Sequence, residues 1–265
     1  MKICMAGACG RMGRRILELA AADPDIEIAG AFDLPELSGT TLTVGADSGQ
    51  RQTVTVSDDA PGQIAGADVL IDFTHASACL GNARLAATVR KPVVIGTTGL
   101  GAQAKDELAR VASTIPVVYA PNMSVGVNLL FKLTAEVAAI LGLDYNVEIT
   151  EVHHNLKKDS PSGTAVRLGE LAAGALGLDY EHDAVHGRQG MVGERPARQI
   201  GMHAIRGGDV VGEHTVSFIG GGERVELTHK AHNRDNFARG ALRAAKFAIG
   251  AKPGLYDMQD VLGLK

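Results

Sequence analysis

The first half of the chain repeats one pattern: a short, almost continuous apolar run, a glycine-bearing turn, then a segment of helical periodicity. "KICMAGA" leads into "RMGRRILELAAAD", "ADVLIDFT" into "ASACLGNARLAATVR", and "KPVVIGTTG" into "QAKDELARVAST" and on to "IPVVYAPN". "IEIAGAFD" is a further run of the same kind. Strands that are apolar on both faces and separated by helices indicate a parallel sheet covered on both sides.

After Pro121 the texture changes. "SVGVNLLFKLTAEVAAILG" predicts a long helix, "YNVEITEVHH" a strand and "GTAVRLGELAAGALG" another helix. "RQIGMHAIRGG", "DVVGEHTVSFIG" and "ERVELTHKAH" then read as strands joined by glycine-rich turns, a largely antiparallel arrangement. "DNFARGALRAAKFAIG" is helical again and is able to pack back on the first domain. The reading is α/β, a Rossmann-like domain followed by an α+β domain, with boundaries near residues 122 and 234. It divides the chain into 1–122 with 235–265 and 123–234. A chain of 265 residues is long enough for two such modest domains.

Composition narrows the partners. A net charge of −4 gives no general attraction for polyanions, so basic residues that bind an anion must act locally. The absence of tryptophan and the 4% aromatic content argue against a base-stacking nucleic-acid surface. Cys4, Cys9 and Cys79 have neither metal-type spacing nor a disulfide framework, which fits reduced thiols in a cytoplasmic enzyme. No targeting segment and nothing approaching a membrane span is expected.

Two stretches carry chemistry. "GACGRMG" places Gly7, Gly10 and Gly13 between the first strand and first helix, with Ala8, Cys9, Arg11 and Met12 among them. Glycines there make the tight turn and let backbone N–H groups approach a pyrophosphate at the helix start. The motif is weak alone, but Asp33 ends the second strand at the distance expected of the acid that binds an adenosine ribose. "DFTHAS", "GTTG" and "APNMS" end three further strands, where open parallel sheets bind ligands. The alternative is a set of ordinary helix caps at Thr74, Thr98 and Ser124. Asp33 followed by Leu34 favours NADH over NADPH, since a carboxylate suits ribose hydroxyls and repels a 2′-phosphate, while Arg11 or a basic residue folded in from elsewhere would still admit NADPH.

The second stretch is "EVHHNLKKDSPSGTA", residues 151 to 165. Adjacent histidines on a strand point to opposite faces, so a shared metal ion is disfavoured, and two lysines would repel it. A plain polar turn at Asp159-Ser160-Pro161 is the serious competitor. Lys157 and Lys158 nevertheless supply positive charge, Ser162, Gly163 and Thr164 stand at a helix start suited to a carboxylate, and His153 or His154 offers an acid near neutrality. That combination suits a small acidic substrate that takes a proton while receiving a hydride.

"GACGRMG", "DFT", "GTTG", "APNMSVGVN", "EVHHNLKKDSPSGTA", "GGDVVGEHTVSF" and "THKAHNRDNFARGA" together resemble the 4-hydroxy-tetrahydrodipicolinate reductase (dihydrodipicolinate reductase) family, in family order over nearly the whole chain. The resemblance implies reduction of a dicarboxylate heterocycle with NADH or NADPH in the diaminopimelate route to lysine. It implies His153 as proton donor and acceptor, and Lys157 as second donor and substrate anchor. His154, Ser162, Gly163 and Thr164 would bind substrate. Gly7 to Met12, Asp33, Gly96, Thr97, Thr98, Ala120, Pro121, Asn122 and Met123 would hold the dinucleotide. It further implies a mixed-sheet second domain that builds a homotetramer, no metal, and hinges near 122–126 and 232–236. Two departures stand out: Cys9 replaces a residue often glycine or alanine, and "FDL" replaces the acidic-then-basic pair of members that grip a 2′-phosphate. Arg206, Asp209, Glu213 and His214 read most simply as turn and sheet-surface residues, with a place for His214 in the cleft as the lesser alternative, and His229 with Lys230 as a sheet-edge pair. A different two-domain dehydrogenase would not need the histidine-lysine-SGT cluster, and a nucleotide sensor would need a partner-binding segment that the sequence does not display.

Overall fold

The computed structural model describes residues 1–46 and 49–265, which separate into two units, Met1–Val125 with Arg234–Lys265 and Gly126–Asn233. In chain order the first unit contains β1 (Lys2–Ala6), α1 (Arg11–Ala21), β2 (Glu27–Phe32), β3 (Thr41–Val44), β4 (Gln52–Thr55), α2 (Ala60–Ala65), β5 (Val69–Asp72), α3 (Ala76–Thr88), β6 (Val93–Ile95), α4 (Ala102–Ala112) and β7 (Pro116–Tyr119). The chain continues through α5 (Val125–Leu141), β8 (Asn146–His153), α6 (Gly163–Ala175), α7 (Tyr180–Asp183), β9 (Ala184–His186), β10 (Ile200–Arg206), β11 (Gly212–Ile219) and β12 (Arg224–Ala231). It then returns to the first unit with α8 (Asp235–Gly250), β13 (Gly254–Tyr256) and α9 (Met258–Leu262).

The first unit is built on a six-stranded sheet in the order β13-β7-β6-β5-β1-β2, every neighbouring pair parallel. All four residues of β5 are buried, as are all three of β6, because helices cover both faces. The order runs outward from β1 in both directions, which opens a crevice at the strand ends beside β1 and β5. α1 turns Ile16, Leu17, Ala20 and Ala21 to the sheet at helical spacing. α8 buries Ala238, Ala241, Ala244, Ala245 and Ala248, small side chains that let its backbone lie close. At Gly240 a Cβ would stand 1.8 Å from the Met123 carbonyl oxygen, so the strand end after β7 rests directly on α8. A two-bonded ion pair, Arg15 Nε and Nη2 to Asp235 at 2.6 and 2.8 Å, joins α1 to α8. The antiparallel β3–β4 pair was not expected: its strands are four residues each, too short to show a period, yet Leu42, Val44 and Val54 are buried in the core.

The second unit has a five-stranded sheet in the order β12-β11-β8-β10-β9. β11 is antiparallel to β8 and β12, but β10 runs parallel to β8 and to β9, so the sheet is mixed, as the family resemblance implies, and not largely antiparallel as the strand runs alone suggest. The physical reason is α6: a strand reached through a helical crossover returns in the same direction. β8 alternates half-buried and buried positions, and its buried side packs with α5 and α6. The segment Val125–Asp144 spans 20 residues with mean hydropathy 1.6, long and apolar enough by length and composition to cross a membrane. That corrects the expectation that nothing in the chain approaches such a span. Within the unit it behaves as an amphipathic helix, burying Val127, Leu130, Thr134 and Ala138 and carrying the Lys132–Glu136 ion pair on its more open side.

Candidate active site

In the first unit, β1 ends in a turn whose Gly7 has φ +76°, a conformation glycine adopts without strain, and whose N–H donates to the Phe32 carbonyl at 3.0 Å. Gly13 follows in the first turns of α1, and a Cβ there would come 2.1 Å from the Gly7 oxygen, so helix and turn are in backbone contact. Gly10 caps α1 without a side-chain acceptor, which leaves the helix start to its backbone N–H groups and the exposed Arg11. Asp33 closes this turn from β2: its Oδ2 accepts from Cys9 N at 2.8 Å and its Oδ1 from Leu34 N at 2.9 Å. Burial and the Asp33 charge push the Cys9 thiol up, so it stays protonated at neutral pH.

Arg11, Met12, Gly96, Thr97, Thr98, Pro121 and Met123 come together around a cavity of about 350 Å³, the size of a small-molecule site. Phe73, Thr74, Arg234 and Phe237 complete it. Gly7, Ala8, Cys9 and Gly10 form the adjoining turn; Ala120 and Asn122 do not line the cavity. Asn122 instead accepts from Ser124 N at 2.9 Å, which sets the turn into α5. Thr74 and Thr98 are not helix caps: α3 is capped by His75 and α4 by Gly101. Thr74 donates both its N–H and Oγ1 to Asp72, at 2.9 and 2.7 Å. Asp72 is fully buried and also accepts from Asn82 Nδ2 at 2.7 Å and Thr97 Oγ1 at 3.4 Å, tying the ends of β5 and β6 together. Burial pushes its carboxyl up against the pull of these donors. Two guanidinium groups, two phenyl rings and an uncapped helix start form a donor set that fits an anionic dinucleotide with a flat, apolar ring.

In the second unit, β8 carries Glu151 and His153 on the buried side, in line with Val147 and Ile149. Glu151 is 1% exposed; it accepts from Arg206 Nη1 and Nη2 at 2.7 Å each and from Ser162 N at 3.0 Å, and shares a 2.5 Å hydrogen bond with His153 Nδ1. Burial alone would raise the Glu151 carboxyl, but Arg206 and His153 outweigh it and hold it below the usual carboxylate range. Burial also lowers His153, with Glu151 opposing. His214 is 4% exposed, shares a 3.0 Å hydrogen bond with Ser162 Oγ, and meets the His153 ring edge-on at 5.1 Å. Burial, then the neighbouring His153 charge, lowers His214 to about 3. A Cβ on Gly212 would lie 3.0 Å from His153 Nε2, which shows how closely β11 passes that nitrogen.

Ser162 caps α6, accepting from Ala165 N at 3.2 Å, so its hydroxyl is committed to the helix and to His214; the exposed Gly163 and half-buried Thr164 follow it. Lys157 Nζ donates to both Asp159 oxygens, at 2.9 and 2.8 Å, and its charge is felt at His153. The buried His154 Nδ1 has no hydrogen-bond partner among the described residues. Arg206 does stabilise the turn, donating Nη2 to the Asp159 carbonyl at 2.8 Å, but it also grips the buried Glu151; His214 is buried against Ser162 and His153, which corrects the sheet-surface reading. The signal was present in parity. In β8 and β11, Glu151, His153 and His214 fall on the positions where Val147, Ile149, Val216 and Phe218 are buried.

Residues 1–123 match the family described as "Dihydrodipicolinate reductase, N-terminus" and residues 126–262 the one described as "Dihydrodipicolinate reductase, C-terminus". The chain is 52% identical over 270 residues to a 4-hydroxy-tetrahydrodipicolinate reductase of Citrifermentans bemidjiense, covering 100% of both. It is 51% identical over 266 residues to one of Geobacter sulfurreducens, covering 100% of this chain and 99% of that protein. A dipicolinate-bound dihydrodipicolinate reductase from Paenisporosarcina sp. TG-14 has the same fold, with TM-score 0.78, 21% identity and 98% of each chain covered. With both halves matched and such relatives aligned end to end, the chain belongs to the dihydrodipicolinate reductase family.

Proposed function

We propose that the protein is a 4-hydroxy-tetrahydrodipicolinate reductase of the diaminopimelate route to lysine, reducing its substrate with loss of water to tetrahydrodipicolinate. The observation that carries this reading is the second-unit cluster: His153 with one nitrogen bound to a buried carboxylate, beside Lys157 and an α6 start, in a chain half identical to curated reductases. The bound nicotinamide supplies the hydride. First-unit residues would hold it: the turn Gly7–Met12 and Arg11 at the phosphates, Asp33 at the adenosine ribose, Gly96–Thr98 and Ala120–Met123 along the strand ends.

His153 gives the proton, from Nε2, to the ring carbon next to the hydride acceptor. Glu151 favours the imidazolium it must start from. Lys157 anchors a substrate carboxylate and stabilises the negative charge that develops on the ring. Its present partner Asp159 is largely exposed, so that ion pair is weak and readily exchanged for the substrate's carboxylate. The backbone N–H groups of Gly163 and Thr164 at the α6 start take a carboxylate, and His154 with Ser162 borders the same place.

The finer assignments follow from particular residues. Asp33 followed by the exposed Leu34 favours NADH over NADPH. The face of the five-stranded sheet bearing Glu148, Thr150, Thr215 and Thr228 is turned away from α5 and α6, and supports assembly into a homotetramer. A soluble, cytoplasmic location goes with the biosynthetic role, with no nucleic-acid or membrane partner. Substrate binding and assembly fall to residues 123–234, dinucleotide binding to 1–122 with 235–265, with hinges near 122–126 and 232–236.

The test is NADH and NADPH oxidation with freshly prepared substrate, compared across wild type, His153→Ala and Lys157→Ala. Turnover should fall by roughly 10²- to 10⁴-fold in each variant while NADH affinity stays within a fewfold. NADH should give the higher kcat/KM. No turnover by wild type sinks the assignment; equal loss of turnover and NADH affinity in the variants sinks the residue roles.

A further inference from the structure

We propose that Glu151 is the positioning residue of this site: it fixes His153 in the tautomer that carries its proton on Nδ1, and it sets that imidazole at a defined distance from the start of α6. The proposal rests on the reading that His153 is the proton donor.

The argument is one of donors and acceptors. Oε2 receives His153 Nδ1 at 2.5 Å and Arg206 Nη1 at 2.7 Å; Oε1 receives Ser162 N at 3.0 Å and Arg206 Nη2 at 2.7 Å. Three of these four partners are obligate donors, and a guanidinium gripping both oxygens keeps the carboxylate ionised. An ionised carboxylate only accepts, so the fourth partner, Nδ1, must donate. The proton on the neutral ring therefore sits on Nδ1, and Nε2 is the nitrogen left to exchange protons with a substrate. Arg206 is indispensable to this: a carboxyl as deeply buried as Glu151 would otherwise take up a proton and lose its hold on the ring.

The same carboxylate reaches the other half of the cluster. Its bond to Ser162 N locks the residue that caps α6, and Ser162 Oγ is tied in turn to His214 on β11. β10, β8 and α6 thus meet at one side chain, with β11 joined to it through Ser162, which registers the proton-carrying ring against the helix start offered to a substrate carboxylate. The charged and titratable groups facing His153 are Glu151 on its own strand, Lys157 in the loop that follows, Arg206 on β10, and His214 on β11 with His229 behind it on β12.

Glu151→Gln separates this role from simple scaffolding. The amide keeps the size and one acceptor oxygen, so Ser162 and Arg206 retain a partner, but its NH₂ then faces Nδ1. The ring must answer by moving its proton to Nε2. The expected result is a kcat lowered roughly 10²- to 10⁴-fold, the span that a misplaced tautomer and lost general-acid catalysis cover, with KM within about threefold. The pH at which kcat/KM is half lost should fall, because the carboxylate that favours the imidazolium is gone. In a His153→Ala background the same substitution should change kcat less than threefold. Long-range ¹H–¹⁵N spectra of the histidine-labelled whole protein read the tautomer directly: Nδ1–H in wild type, Nε2–H in Glu151→Gln. A wild-type ring protonated on Nε2 overturns the proposal, and this measurement does not require the variant to fold. Losses that multiply in the double variant also overturn it. If His153→Ala alone leaves turnover near wild type, it is the proton-donor reading that fails, and the tautomer spectra still decide the positioning role.

Discussion

His153 works within a few tenths of an ångström. Its Nδ1 is held at 2.5 Å, its ring meets His214 edge-on, and Nε2 lies against the Cα of Gly212. A methyl at position 212 would stand 3.0 Å from Nε2 and 3.4 Å from Cδ2, so the imidazole has to yield. Misplacing a reacting group by about 1 Å can lower a rate by ~100-fold, and a shift of a few tenths should take a smaller but measurable share. Gly212→Ala is accordingly expected to lower kcat by roughly fivefold to twentyfold. Thermal midpoint and NADH affinity should stay close to wild type, since the added atom meets a ring and no backbone. Steady-state kinetics with parallel calorimetry checks this; an unchanged kcat would mean that Nε2 does not face the reacting atoms.

Among the elements, the join of β1 to α1 is the least forgiving. A Cβ on Gly13 would meet the Gly7 oxygen at 2.1 Å and the Ala8 Cα at 2.9 Å, both backbone atoms with nowhere to go. Gly13→Ala should therefore push α1 off the turn, costing about 1–3 kcal/mol of stability, as overpacking does. NADH affinity should weaken tenfold or more, while a planar dicarboxylate binds the second unit as before; fluorescence titration of each ligand separates the two. The strength of such elements explains what could be read without coordinates. The β5 and β6 runs, buried throughout, and β1, buried after Lys2, announce a parallel sheet, with the glycine turn at the end of β1 and Asp33 at the end of β2. What escaped was either short or disguised. The four-residue β3 and β4 are too brief to show a period, and β13 is three residues long. Glu151, Arg206 and His214 were passed over as ordinary polar residues because burial of a charge is visible only when strand parity is followed to its end. Asp72 was noticed as part of a motif, but its knot with Thr74, Asn82 and Thr97 depends on two strand ends meeting in space.

Across the whole molecule, buried ionisable groups set how stability follows pH. His214 is lowered from 6.5 to about 3 by burial, so between those values the unfolded chain binds a proton that the folded one refuses. Stability is full above pH 6.5 and declines as pH falls towards 3. Glu148 adds a second loss lower down. Burial would raise it, but Arg188, His203 and Arg195 bring it from 4.5 to about 2, so its contribution is present above pH 4.5 and is lost as pH falls towards 2. Denaturant midpoints measured from pH 8 to pH 3 should fall in two stages, beginning near 6.5 and steepening below 4.5, with Glu148→Gln removing the steeper part. A midpoint flat down to pH 4 would contradict the His214 assignment, and one that does not steepen between pH 4.5 and 3 the Glu148 assignment.

The path of the chain through its two units sets an order of assembly on the ribosome. Residues 126–233 are contiguous and can fold as soon as they emerge. The first unit cannot: the strand at one edge of its sheet, β13, and the alanine-lined α8 that backs β5, β6 and β7 are made only after the second unit. Until then an apolar sheet waits with one layer missing, so a chain truncated after residue 233 would hold the whole second unit and a first unit exposed to chaperones and proteases.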